Sequence, residues 1–232
     1  MFFFKEKKEE ENNNVNLSAI GNFKFGIERI NNGEDPRTVG EITLAIEELK
    51  DYQEKEGLSN EKMFEVLENA GISIYNPEIK TALEKSFVVE FSKALDICHF
   101  YRDVMDLDLS TETLEKVKDV FIENLNWTSD YKEMVELGKF SEEFLKSERV
   151  VEAIERRFKE IIKRGNKGEI NSFIEAFDLK DLSFATKEAE EVFIDLAQRG
   201  ELEKALEIKE IFQLKNCKKL LKDLGDFYNK LN

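Results

Sequence analysis

The stretch LAQRGELEKALEIKEIFQL, residues 196–214, reads as the end of one helix, a turn at Arg199-Gly200, and a second helix. It has the form of one unit cut from a longer array. The segment EIIKRGNKGEINSFIEAFDLKD at 160–181 aligns with DLAQRGELEKALEIKEIFQLKN at 195–216. Arg164-Gly165 falls on Arg199-Gly200, Phe158 on Phe193, Phe177 on Phe212 and Leu179 on Leu214, each at an offset of 35 residues. A wider echo pairs VFIENL at 120–125 with VFIDLA at 192–197, an offset of 72, about two such units. Self-similarity at this period is the mark of stacked helical hairpins, none of which buries its apolar face alone.

Composition supports a helical chain. At 232 residues it has enough length for a sizeable core. Hydrophobic residues make up 41% and include 19 Phe, which sets it apart from disordered chains. Only 2 Pro and 11 Gly are present, too few to punctuate a many-stranded β fold, and the 37% of charged residues suits long solvated helices. The expected fold class is all-α, as stacked antiparallel helical hairpins of α-solenoid type, with an irregular helical bundle as the alternative.

Start and stop signals place the helices. Asp35-Pro36 reads as an N-cap and first helical residue, after which Val39, Ile42, Ile46 and Leu49 keep helical spacing. Gly57 ends that helix, a shorter one stops before Gly71, and Asn76-Pro77 opens a long apolar segment. Within it FVVEF has β-like content, but its flanks favour a buried helix. Further helices are expected over about 111–125, 130–146, 148–164, 167–178, 185–199, 202–213 and 216–231. The organisation expected is a flexible tail at 1–16, a helical region at 17–106 and a helical-repeat region at 107–232.

The unit RGELEKALEIKEIF resembles the middle of a tetratricopeptide repeat, in which a glycine ends helix A and an alanine packs inside helix B. Gly200 and Ala205 take those positions. The resemblance covers 195–216 and in part 160–181, where Ile170 stands in place of the alanine. Phe193 occupies a position where that family has a small residue, and no proline closes the unit. The resemblance implies a helix-hairpin solenoid that binds peptides or proteins. Pentatricopeptide relatives bind single-stranded RNA.

Charge weighs against RNA. The net charge is −15. Residues 103–145 carry twelve acids against four bases, and 28–68 carry twelve against five. Nucleic-acid binding rests on phosphate neutralisation, so most of this surface repels a polyanion and attracts a basic protein. The exception is RRFKEIIKRGNK at 156–167, where Arg156, Lys159 and Lys163 share a helix face. They either dock a phosphate or an acidic peptide, or simply complement the end of the helix dipole. The C-terminal KNCKKLLKDLGDFYNKLN resembles a basic amphipathic capping helix, with a membrane-surface role as the weaker reading.

Catalytic motifs are absent from the sequence. It holds no Gly-rich phosphate loop and no GxSxG. The sole histidine, His99, lies with Asp96 and Asp103 at i, i+3 and i+7, a spacing that could hold one divalent ion. Its neighbours Ile97, Phe100, Tyr101 and Val104 favour a partly buried structural histidine instead. Cys98 and Cys217 are far apart and imply no disulfide framework; with no apolar run of about 20 residues, the setting expected is cytoplasmic. The start MFFFKEKKEEENNN has too short an apolar core for a secretory signal, and Phe2, Phe3 and Phe4 read as a packed tail or an aromatic anchor.

Trp127 and Tyr131 fall at a polar turn with Asp130 and Glu133 and form the aromatic candidate for an interface. The expectation is a non-catalytic interaction scaffold or adaptor without a cofactor, whose partner is a protein of basic surface and neither nucleic acid nor membrane. The alternative is an acidic inhibitor, of the phage counter-defence type, that blocks the basic groove of a nucleic-acid enzyme.

Overall fold

A computed structural model of the chain describes residues 3–91, 93, 95–139, 141 and 143–215, with side chains from residue 17 onward. Phe2, the side chains of Phe3 and Phe4, Cys217 and the helix expected at 216–231 therefore lie outside the described residues. Every regular element among the described residues is helical, and the chain forms two compact units, Met1–Phe121 and Ile122–Asn232.

In the first unit α1 (Phe3–Asn31) packs along α2 (Glu41–Glu56). Their closest approach is at Gly26, where a Cβ would lie 2.5 Å from Ile42 Cγ1 and 3.2 Å from its backbone nitrogen. Arg29 fastens the same end, pairing with Glu34 at 2.6 Å and with Glu41. Asp35 caps as the sequence predicts, accepting from the Arg37 N–H, but Pro36–Thr38 forms a single 3₁₀ turn. The helix proper waits until Gly40 has been passed. Ile42, Ile46 and Leu49 are then fully buried, as their spacing requires.

Two further side chains act as caps, Asn76 as read from sequence and Ser59 beyond that reading. Ser59 opens α3 (Asn60–Asn69), and Asn76 opens α4 (Pro77–Glu90) by accepting from the Glu78 N–H at 3.0 Å. FVVEF is helical through Glu90, with Phe91 as its cap. Beyond it α5 (Leu95–His99) runs into a π-helical turn, Phe100–Val104. That turn buries Tyr101, whose ring meets Phe87 edge-on at 5.5 Å. The division between the units falls inside α6 (Thr111–Trp127).

In the second unit α7 (Tyr131–Gly138) is shorter than the expected 130–146. At Gly138 the chain lies so close to Leu145 that a Cβ would stand 2.4 Å from the leucine Cδ2. Two helix pairs follow: α8 (Glu148–Arg164) with α9 (Lys167–Phe177), and α10 (Thr186–Gln198) with α11 (Leu202–Ile211). The 3₁₀ turn Ser183–Ala185 joins them. α8 contacts α10, and α9 contacts α11. Of the residues aligned at an offset of 35, some hold like places, whereas Phe177 and Leu179 are partly exposed and Phe212 and Leu214 are buried. Gly165 and Gly200 both take left-handed φ, at +64° and +82°, while Phe158, Phe193, Ile170 and Ala205 are all fully buried. Phe158 is the centre of the aromatic core, stacked on Phe173 at 5.4 Å and also touching Phe184 and Phe212.

Candidate partner-binding cleft

Helix α8 is strongly two-sided. Val150, Ala153, Ile154, Arg157, Phe158, Ile161 and Ile162 face the core, while Val151, on the same stripe but in the first turn, stays 37% exposed. Beside Val151 is a cleft of about 540 Å³. Its apolar wall comes from Val135 of α7, Leu145 before α8, Val151 and Ile154, then Ala176 and Phe177 of α9 with Leu179 and Phe184 beyond. Apart from Ile154 these side chains remain partly solvent-exposed.

The loop after α9 forms one wall because Asp178 ends the helix in a left-handed conformation, φ +48°. That turn carries Asp178, Lys180 and Asp181 onto the rim, and Glu155 lines the same cleft. Lys180 pairs with Asp178 at 3.0 Å. Asp181 accepts the Ser183 N–H at 2.9 Å, and that hydrogen bond holds its carboxyl below the usual range. At neutral pH the mouth of the cleft is acidic.

The residues singled out from sequence are distributed over several places. Arg156, Lys159 and Lys163 do converge, on an adjoining groove of about 380 Å³. Glu152, Glu155, Glu160 and Glu188 line the same groove, and Lys159 lies 3.5 Å from Glu188, so the cations are matched there by carboxylates. Trp127 is 84% exposed at the end of α6. Tyr131 is only 2% exposed. Its ring packs edge-on against Phe173 at 4.8 Å, and its hydroxyl donates to Glu169 at 3.1 Å. Burial, and then the Glu169 carboxylate, raise the Tyr131 pKa. Asp130 is the N-cap of α7, accepting the Glu133 N–H at 3.1 Å, and Glu133 is exposed. None of these four lines the cleft.

Of Asp96, His99 and Asp103, the last two come together, His99 Nδ1 lying 3.4 Å from the Asp103 carboxylate, and Asp96 does not join them. Asp96 is 81% exposed at its side chain and pairs with Lys50 at 3.0 Å. The Arg102 guanidinium reaches both His99 Nδ1, at 2.6 Å, and the Asp103 carboxylate, at 2.5 Å. Arg102 holds the Asp103 carboxyl below the usual range. Among the described residues no group of three His, Cys, Asp or Glu side chains is arranged to hold a metal ion. Cys98 is buried, and burial pushes its thiol up to about 12, far from the thiolate a nucleophile requires. Among the described residues, no helix is long and apolar enough to cross a membrane.

A second concavity, of about 680 Å³, lies in the first unit and is lined by Lys80, Glu84, Ser110 and Thr113 among others. Glu84 is 8% exposed. Its Oε2 accepts from the Ser110 and Thr113 hydroxyls at 2.7 and 2.6 Å, and its Oε1 accepts the Ser110 N–H at 3.0 Å. Burial works to raise the Glu84 pKa, but these hydrogen bonds outweigh it and hold the carboxyl below the usual range. The carboxylate is fully occupied in fastening the start of α6 to α4. This is a structural device, not an open site.

Sequence reasoning missed the cleft. Val151 carried no signal, because it keeps the helical spacing of the buried Ile154, Phe158 and Ile162. The left-handed Asp178 carried none either, because aspartate in this chain also sits at helix starts, as the N-caps Asp35 and Asp130 do. Comparison of the chain with protein-family models, with curated proteins and with solved structures finds no match.

Proposed function

We propose that this chain is a non-catalytic protein-interaction module, and that the cleft of the second unit is where it holds another protein. The observation that carries the reading is the cleft itself: partly exposed apolar side chains from three helices and two connecting segments meet beneath an acidic rim. Apolar groups gathered in one concavity gain by excluding water, which supports a docking site there. The tetratricopeptide-like pairing of helices around Gly165 and Gly200 accords with a scaffold that presents such a surface. With net charge −15, a basic partner is steered toward it in a cytoplasmic setting.

The test is an affinity pull-down from native lysate, nuclease-treated, with the wild-type chain and Val151→Asp in parallel, read by mass spectrometry. Val151 is partly exposed, so the variant folds, and circular dichroism checks that it does. The expected result is a stoichiometric protein retained by wild type and lost by the variant. A partner that is a basic nucleic-acid enzyme released by salt would favour the acidic-inhibitor form of this reading. Equal retention of every partner by Val151→Asp would remove the cleft from it.

A further inference from the structure

We infer that the occupant of the cleft is a short basic amphipathic segment of another protein, one that seats large apolar side chains inside and sets lysine or arginine against the rim. This rests on the interaction-module reading and names the chemistry of the partner. The apolar requirement comes from Val135, Leu145, Val151, Phe177, Leu179 and Phe184, which line the cleft yet keep part of their surface in water. The basic requirement comes from the rim. Asp178 and Asp181 supply two negative charges against one positive charge on Lys180, which is already bound to Asp178, and Glu155, which also faces the cations of the adjoining groove, adds a third carboxylate.

Each requirement excludes a class of occupant. A purely apolar segment would strip water from Glu155 and Asp181 without supplying a counter-charge, and carboxylates desolvated without a partner oppose binding. A purely cationic segment would leave the apolar wall wet and gain only the screened attraction of exposed charges. Acidic peptides, phosphorylated segments and anionic headgroups meet the rim with like charge. A volume of about 540 Å³ is that of a pocket for a few anchoring side chains, not of a broad interface between two globular surfaces. What remains is a segment with both features. Apolar anchors at helical spacing with lysines alongside meet both requirements, the anchors giving affinity and the cations giving rate and register.

A display library of random dodecamers, selected on the full-length chain and then counter-screened on Val151→Asp, tests the inference without knowledge of the natural partner. Enriched, cleft-dependent peptides should combine large apolar residues with net positive charge. Their affinity for Glu155→Gln/Asp178→Asn/Asp181→Asn should fall about tenfold at low salt and converge with wild type at high salt. Asparagine keeps the left-handed conformation at 178 and the acceptor at 181, so that variant tests charge rather than fold. Cleft-dependent peptides without a positive bias would overturn the basic partner while leaving the interaction module standing. No cleft-dependent peptide at all would overturn both. Two further outcomes would replace the occupant: tightest cleft-dependent binding by a synthetic peptide of residues 216–232, or a dimer in sedimentation that Val151→Asp abolishes.

Discussion

In the second unit the central ring, Phe158, meets Phe173 of α9, Phe184 of the connecting turn and Phe212 at the end of α11. In the first unit Phe87 meets Phe91 and Tyr101, but the start of α6 is held by a carboxylate, Glu84, reaching two hydroxyls and a backbone amide. One unit gathers its rings around one centre, and the other joins distant residues through one carboxylate. The difference teaches where each unit is vulnerable: aromatic packing in the second, one buried ionised group in the first.

The largest effect expected is at Phe158. Truncation to alanine removes a fully buried ring that three others touch, leaving a cavity that helices joined by short loops refill poorly. Phe158→Ala should cost about 3–5 kcal/mol, read as a lower urea midpoint for unfolding of the second unit. A loss under about 1 kcal/mol, the level of a surface change, would show that the unit does not depend on its aromatic centre.

Glu84→Gln is the counterpart in the first unit. The amide retains one acceptor but turns an NH₂ group toward groups that donate to the carboxylate, so about 2 kcal/mol should be lost at neutral pH. The sign of the pH dependence follows from the lowered pKa. Glu84 is held below its ordinary 4.5, so its stabilisation is fully present above that value and fades as pH falls through the lower folded-state value. Wild type and Glu84→Gln should therefore converge in stability only in acid, below about pH 4.5. Convergence at neutral pH would mean that Glu84 is not ionised in the folded protein.

The same contrast explains what the sequence makes legible. Helix class, the caps at Asp35 and Asn76, and the glycine stops at Gly57, Gly165 and Gly200 are local chemistry, and local chemistry is written in neighbouring residues. The pairing of Glu84 with Ser110 and Thr113 spans 26 to 29 residues between helices of different length, and nothing periodic announces it. Tyr131 illustrates the opposite error. Its polar neighbours Asp130 and Glu133 place it at a turn, but as the first residue of α7 it points inward onto Phe173, while Trp127 stays outside. The cleft was hidden for a third reason. Its wall is assembled from residues 135 to 184, each unremarkable in its own segment.

The smallest effect expected probes the repeat relation directly. Gly165 and Gly200 are 35 residues apart, and both turn a helix end through left-handed φ, +64° and +82°. An added Cβ at Gly165 meets Leu196 Cδ1 at 3.5 Å, an ordinary contact, and at Gly200 it meets nothing within 4 Å. Neither site offers a steric penalty, so each Gly→Ala change exposes the backbone term alone, about 1–2 kcal/mol for a left-handed alanine. Asparagine, which tolerates that conformation, should recover part of the loss at both positions. Equal costs and equal recovery, measured by thermal unfolding, would establish that the two turns are one device used twice. A neutral Gly200→Ala beside a costly Gly165→Ala would mean that only the first turn carries its hairpin, and the offset of 35 would then be a coincidence of composition.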